Sequence, residues 1–244
     1  MRESAETSSL AAEAYAIVRQ RILRGELILG QVISRRKLAA ELGMSFLPVS
    51  EALLRLEFEG LLESRPRAGT RVRIPSPDDV KGHYVVREAL EVQAAMLFFE
   101  VATPGERAEL RKLAARVDAL AMQSDRMLYL GLHQKLHRRI AECTRCQSLC
   151  DAIEKTHALA SIWFCVMRTP SEDDSPTRHQ DLLDTLIIGG PARAAEAMRE
   201  HINVGMQHVM EVLEPYFRLR KANGRTFYRS ERKLKHAPFA ADVN

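Results

Sequence analysis

With 244 residues, 46% of them hydrophobic, 28% charged and only 6% aromatic, the chain has the make-up of a soluble protein with one large domain or two small ones. Its net charge of +4 is uneven: residues 1–76 carry 12 Lys/Arg against 9 Asp/Glu, residues 77–213 carry 16 against 20, and residues 214–244 carry 8 against 3. No run approaches the roughly 20 uninterrupted apolar residues of a membrane span. MRESAETSSL lacks an apolar signal core, and four cysteines make no secreted disulfide framework, so a cytoplasmic protein is expected.

Ala, Leu, Glu and Arg dominate, which predicts a mostly helical chain. Between residues 10 and 29, Leu10, Ala14, Val18, Ile22 and Leu23 recur at helical spacing, with Arg19, Arg21 and Arg24 among them. Ser34 is placed to cap the helix SRRKLAAEL, Gly43 to end it in a tight turn, and Ser45 to cap the next helix. Pro48 is compatible with that helix because it falls in the first turn, and Val49, Ala52, Leu53 and Leu56 form the buried face. After Gly60, LLESRPRAGTRVRI reads as two short strands around Pro66-Arg67-Ala68-Gly69. Helices followed by a hairpin make a winged helix-turn-helix, assigned to residues 10–75.

PSPDD, from Pro75 to Asp79, interrupts the pattern. Helices are predicted beyond it over 79–101, 104–122, 125–143, 147–167, 172–188 and 191–213. Short connections between them make residues 78–213 an antiparallel all-helical bundle of about six helices. Residues 214–244 form a basic, weakly periodic tail.

Residues 10–74, through LAAELGMS, LPVSEALLRLE and EGLL and the Gly69 wing, resemble the winged-helix domain of GntR-type regulators. DDVKGHYVVREALE, HQKLHRRIAECTRCQSL and RHQDLLDTLIIGGPARAAEAMREHI resemble the helical FCD effector domain of that family's FadR-like branch. The resemblance implies a homodimeric bacterial transcription regulator on a pseudo-palindromic duplex DNA operator, with a helical domain that senses a small molecule. One departure concerns the reading helix. The family's usually begins Ser-Arg-Thr-Pro-Val-Arg-Glu-Ala, whereas here Phe46 and Ser50 replace the arginines and Leu47 the threonine. An arginine fork on guanine O6 and N7 supplies roughly 1–3 kcal/mol of discrimination, while Phe46 and Leu47 offer apolar contact, as to a thymine methyl. Phosphate contacts are expected from Arg35, Arg36, Lys37, Ser45, Arg65, Arg67 and Arg71. The other reading, that Phe46 and Leu47 pack on a neighbour and DNA binding is lost, stays open here.

His133 and His137 stand four apart, the spacing by which one helix face offers two nitrogens to one metal ion. His179 and His201 lie on later helices, which a bundle can direct to the same interior point. The resemblance implies the same set, because metal-binding FadR-like members use Asp or Asn, a histidine four residues on, and two more histidines. Here His133 takes the carboxylate's place, followed by His137, His179 and His201. Four imidazoles suit a divalent transition metal, zinc first, with nickel, iron or copper as alternatives. The neutral ligands leave the ion its full charge for a small organic acid. Arg87 matches a cavity-facing arginine of the family, although an ion pair with a neighbouring Glu explains it equally. Trp163 could line the same pocket or simply fill the core.

His83, His157, His208 and His236 are expected at the surface. Cys143, Cys146 and Cys150 are expected on one helical face, as buried hydrophobes or as a thiol site. Two functions stay open: a ligand-responsive DNA-binding regulator, and a metalloenzyme or metal sensor whose winged domain no longer reads DNA. Gln134 follows His133 where helical metal hydrolases carry their glutamate base, which favours the regulator.

Overall fold

The computed structural model describes residues 2–65, 69–121, 125–165 and 178–222 (backbone only for 2–9, 126, 158–165 and 221–222). The N-terminal part comprises α1 (Arg2–Leu23), β1 (Val32–Ile33), α2 (Arg35–Leu42), α3 (Phe46–Phe58), β2 (Leu62–Arg65) and β3 (Gly69–Val72). α1 packs across α3, burying Ala14, Val18 and Ile22 against the stripe of Val49, Ala52, Leu53 and Leu56. Ser34 Oγ accepts from the Lys37 amide at 3.3 Å, and Gly43, at φ 63°, ends α2 in the left-handed conformation a Cβ disfavours. Ser45 precedes α3 in extended conformation, but its side chain makes no capping hydrogen bond, unlike the expectation.

The wing has one strand more than the hairpin read from sequence. β3 lies between β2 and β1, antiparallel to both, with Val32 opposite Arg71 and Leu62 opposite Val72. β1 is two residues long, too short to show an alternating period.

α4 (Pro77–Val101), α5 (Pro104–Ala121), α6 (Arg126–Glu142), α7 (Gln147–Cys165), α8 (Arg178–Ile188) and α9 (Pro191–Ala222) form the helical part. Ser76 and Asp79 start α4 with a reciprocal capping box of 3.0 and 2.8 Å. α4 and α9 lie along each other; α5 packs on α6 and α8, α6 on α7, and α8 on α9. Residues 172–177 of the helix predicted over 172–188 lie outside the described residues. Among the described residues, no helix is long and apolar enough to cross a membrane.

α9 corrects the boundary set at residue 214, since the helix continues through Pro215 to Ala222. Tyr216 and Phe217 are buried beyond the proline, and Arg220 reaches the Ile74 carbonyl at 2.9 Å. Those contacts outweigh the hydrogen bond that Pro215 cannot donate. Pro215→Ala restores that donor, so a gain on the order of 1–3 kcal/mol is expected in denaturant unfolding. An unchanged or lower stability would show that the local backbone has adapted to the ring.

Candidate functional site

Three helices bring the four predicted histidines together: α6 supplies His133 and His137, α8 His179, and α9 His201. One ring nitrogen from each lies within 4.8 Å of the other three. His137 Nε2 is 3.3 Å from Nε2 of both His133 and His201. Nitrogens about 2.0–2.1 Å from a tetrahedral zinc stand about 3.3 Å apart, so these spacings suit a single ion. His179 Nε2 is buried without a hydrogen-bond partner. A buried imidazole nitrogen left unpartnered is costly unless a cation takes its lone pair.

Two buried carboxylates orient the rings. Asp118 on α5 accepts from His179 Nδ1 at 2.6 Å and from the amides of His179 and Gln180 at 3.1 and 3.0 Å. It therefore caps α8 and holds the His179 proton on Nδ1, leaving Nε2 as a donor to metal. Glu91 on α4 approaches His137 Nδ1 to 2.6 Å, without the alignment of a hydrogen bond, and accepts from Arg87 Nε at 2.8 Å and His157 Nε2 at 3.0 Å.

Burial pushes the His137 ring down to about 4 despite Glu91. Burial and the neighbouring imidazoles push His133 and His201 well below the usual histidine range. Burial alone would raise the Glu91 carboxyl, but Arg87, His137 and His157 outweigh it and hold Glu91 well below the carboxylate range. His133, His137 and His201 are thus neutral near pH 7, the state in which imidazole binds a metal.

Neither carboxylate was recognised from the sequence, although each left a mark. Asp118 interrupts the apolar face of Leu110, Leu113, Ala114, Val117 and Ala121, and Glu91 stands four residues after Arg87. Asp118→Ala should weaken metal affinity by roughly 10–100-fold, measured by competition with a chromogenic chelator. Affinity equal to wild type would mean that packing alone orients His179.

His157 corrects the surface assignment, because Glu91 draws it into the interior, and His83 is half-buried rather than exposed. Arg87 is buried on Glu91 and lies 5.0 Å over the Tyr84 ring. Its charge nevertheless disfavours protonation of His133, His137 and His201, which puts the guanidinium within electrostatic reach of the cluster. The Trp163 side chain lies outside the described residues. The cysteines do not share one helix: Cys143 caps α6, Cys146 lies in the turn and Cys150 is on α7. Burial pushes the Cys143 thiol up to about 11 and raises Cys150, so neither is a poised nucleophile.

In the winged part, Arg36, Lys37 and Ser45 are exposed, and Arg35 donates to Thr70 Oγ1 at 3.2 Å, joining α2 to the wing. Arg65 is exposed near Glu63, whereas Arg71 is only 13% exposed and pairs with Glu63 at 2.5 Å. Arg67 lies outside the described residues. Phe46 and Leu47 are 53% and 58% exposed and do not pack away, while Ser50 Oγ is buried without a partner.

The gntR family of bacterial regulatory proteins matches residues 10–72, and the FCD domain matches residues 83–204. The chain belongs to the GntR family, with an FCD domain. A probable D-xylose utilization operon transcriptional repressor of Paenarthrobacter nicotinovorans is 29% identical over 80% of this chain and 86% of its own. The Escherichia coli transcriptional repressor RspR is 22% identical over 91% of this chain and 95% of its own. Among solved structures, a GntR regulator from Rhodococcus sp. RHA1 has the same fold, with a TM-score of 0.69, 20% identity and coverage of 83% of this chain and 98% of its own. E. coli McbR/YncC follows with a TM-score of 0.60, 23% identity and coverage of 85% and 98%. This GntR-family protein is a transcription regulator with a DNA-binding winged domain, and not an enzyme.

Proposed function

We propose that this GntR-family regulator holds a divalent transition metal on His133, His137, His179 and His201, and uses it to sense a small carboxylate. The convergence of four imidazoles, with a buried His179 Nε2 that has no hydrogen-bond partner, carries the reading. Zinc suits the site best, with nickel, iron and copper as alternatives that imidazole also binds. A bound ion would supply a positive centre that the neutral ligands leave uncompensated, attractive to a carboxylate. Arg87 adds positive charge beside it, Asp118 holds His179 in the metal-binding tautomer, and Glu91 stands against His137 Nδ1.

The regulator acts in the cytoplasm as a homodimer on a pseudo-palindromic operator, with one winged domain on each half-site. Val85 and Val86 on α4 are exposed and apolar, a surface suited to a second copy. Effector binding among α6, α8 and α9 biases the spacing of the two winged domains and thereby operator affinity. Arg35, Arg36, Lys37, Ser45 and Arg65 supply phosphate contacts.

The test is elemental analysis of purified protein beside the double variant His137→Ala/His179→Ala, with operator binding titrated against a panel of small organic acids. Wild type should carry bound metal and change its operator affinity with one of the acids, and the variant should do neither. An effector that acts on the metal-free variant with unchanged potency would overturn the metal-dependent reading.

A further inference from the structure

The outward face of α3 has a composition that constrains what it can read. At 100° per residue, the direction opposite the buried stripe of Val49, Ala52, Leu53 and Leu56 belongs to Leu47, Glu51, Leu54 and Phe58, with Phe46 at the helix start. Leu54 is 63% and Phe58 93% exposed, so the apolar surface runs the length of the helix. Its one arginine, Arg55, points elsewhere: Nε pairs with Glu59 at 3.2 Å and the guanidinium lies 4.0 Å over the Tyr15 ring. With Ser50 Oγ buried, this face has no side-chain donor for guanine O6 and N7.

The major groove offers an apolar side chain one complementary feature, the C5 methyl of thymine. We infer that Phe46 and Leu47 are the specificity residues of this regulator and that each half-site is recognised through thymine methyl groups packed against them. Phe46 and Leu47 occupy the N-terminal turn of α3, the part of a recognition helix that meets base edges. The exposed cations Arg36, Lys37 and Arg65 hold the phosphates on either side and make the apolar face a groove-binding surface. Glu51, an acceptor, selects an exocyclic amine, on cytosine or adenine, among the neighbouring bases. The inference rests on DNA binding by the winged domain and is independent of the metal.

The experiment begins with selection of bound sites from random duplex DNA by the full-length protein at moderate salt. Each thymine of the selected half-site is then replaced by deoxyuridine, which removes only the methyl, and binding is measured by fluorescence anisotropy. One or two positions per half-site should lose affinity by about three- to tenfold, the scale expected for one buried methyl. At those positions 5-methylcytosine should bind better than cytosine. In Phe46→Ala and Leu47→Ala, both on exposed positions and checked for folding by circular dichroism, the thymine and uracil operators should bind equally. A selected operator indifferent to uracil throughout, with its discrimination on guanines, would overturn the inference and leave DNA binding intact. Folded protein that selects no sequence would overturn it together with operator recognition.

Discussion

Metal-stripped protein moved from pH 7.5 to pH 5.5 is expected to lose on the order of 5 kcal/mol of folding stability, a fall in Tm of about 10 °C or more. The sign follows from the direction of the shifts. Burial pushes His83 and His137 down to about 4 and, with neighbouring imidazoles, His133 and His201 well below their usual range. The unfolded chain takes protons near pH 6.5 that the folded chain refuses. Their contribution to stability is complete above about pH 6.5 and drains away as pH falls from there towards about 4. One unit below 6.5, each such group costs about 1.4 kcal/mol. Thermal unfolding followed by circular dichroism reads this directly, and metal-loaded protein should resist until protons displace the ion. Equal Tm values at the two pH values would mean that the histidines are solvated, with no closed cluster.

Glu91→Ala is the substitution expected to do most damage. It removes the carboxylate that faces Arg87, His137 and His157 and leaves a guanidinium buried without its counter-ion. Breaking a buried pair from one side costs about 3–5 kcal/mol. The double change Arg87→Met/Glu91→Leu should cost less than Glu91→Ala, because it buries no lone charge. Guanidinium chloride midpoints measure both. A double variant less stable than Glu91→Ala would show that the Arg87 guanidinium is not a lone buried charge once the carboxylate is gone.

The two predictions depend on residues that differ in how far the sequence reveals them. His133 and His137 share a helix face, and a period of 3.6 residues makes that visible without coordinates. The winged order was equally legible, because Ser34, Gly43 and Gly60 punctuate the chain where apolar stripes begin and end. The missing arginines of α3 are likewise a fact of sequence, read from Phe46, Leu47 and Ser50.

Other features required the chain to fold back on itself. Asp118 and His179 are 61 residues apart, and only the packing of α5 on α8 makes one the hydrogen-bond partner of the other. His157 looks like any solvated histidine until α4 and α7 meet and Glu91 draws it in. Pro215 marks a helix end by local rules, and α9 passes it because Tyr216 and Phe217 are buried beyond. By itself the sequence determined most of the helices, the β2–β3 hairpin and the His133/His137 pair, which are properties of periodicity and turn chemistry. The order of the two domains and the full histidine set were legible through the family resemblance as well. The tertiary structure decided which carboxylates hold those histidines and whether Phe46 faces the core or the solvent, since both depend on contacts between segments that no local pattern encodes.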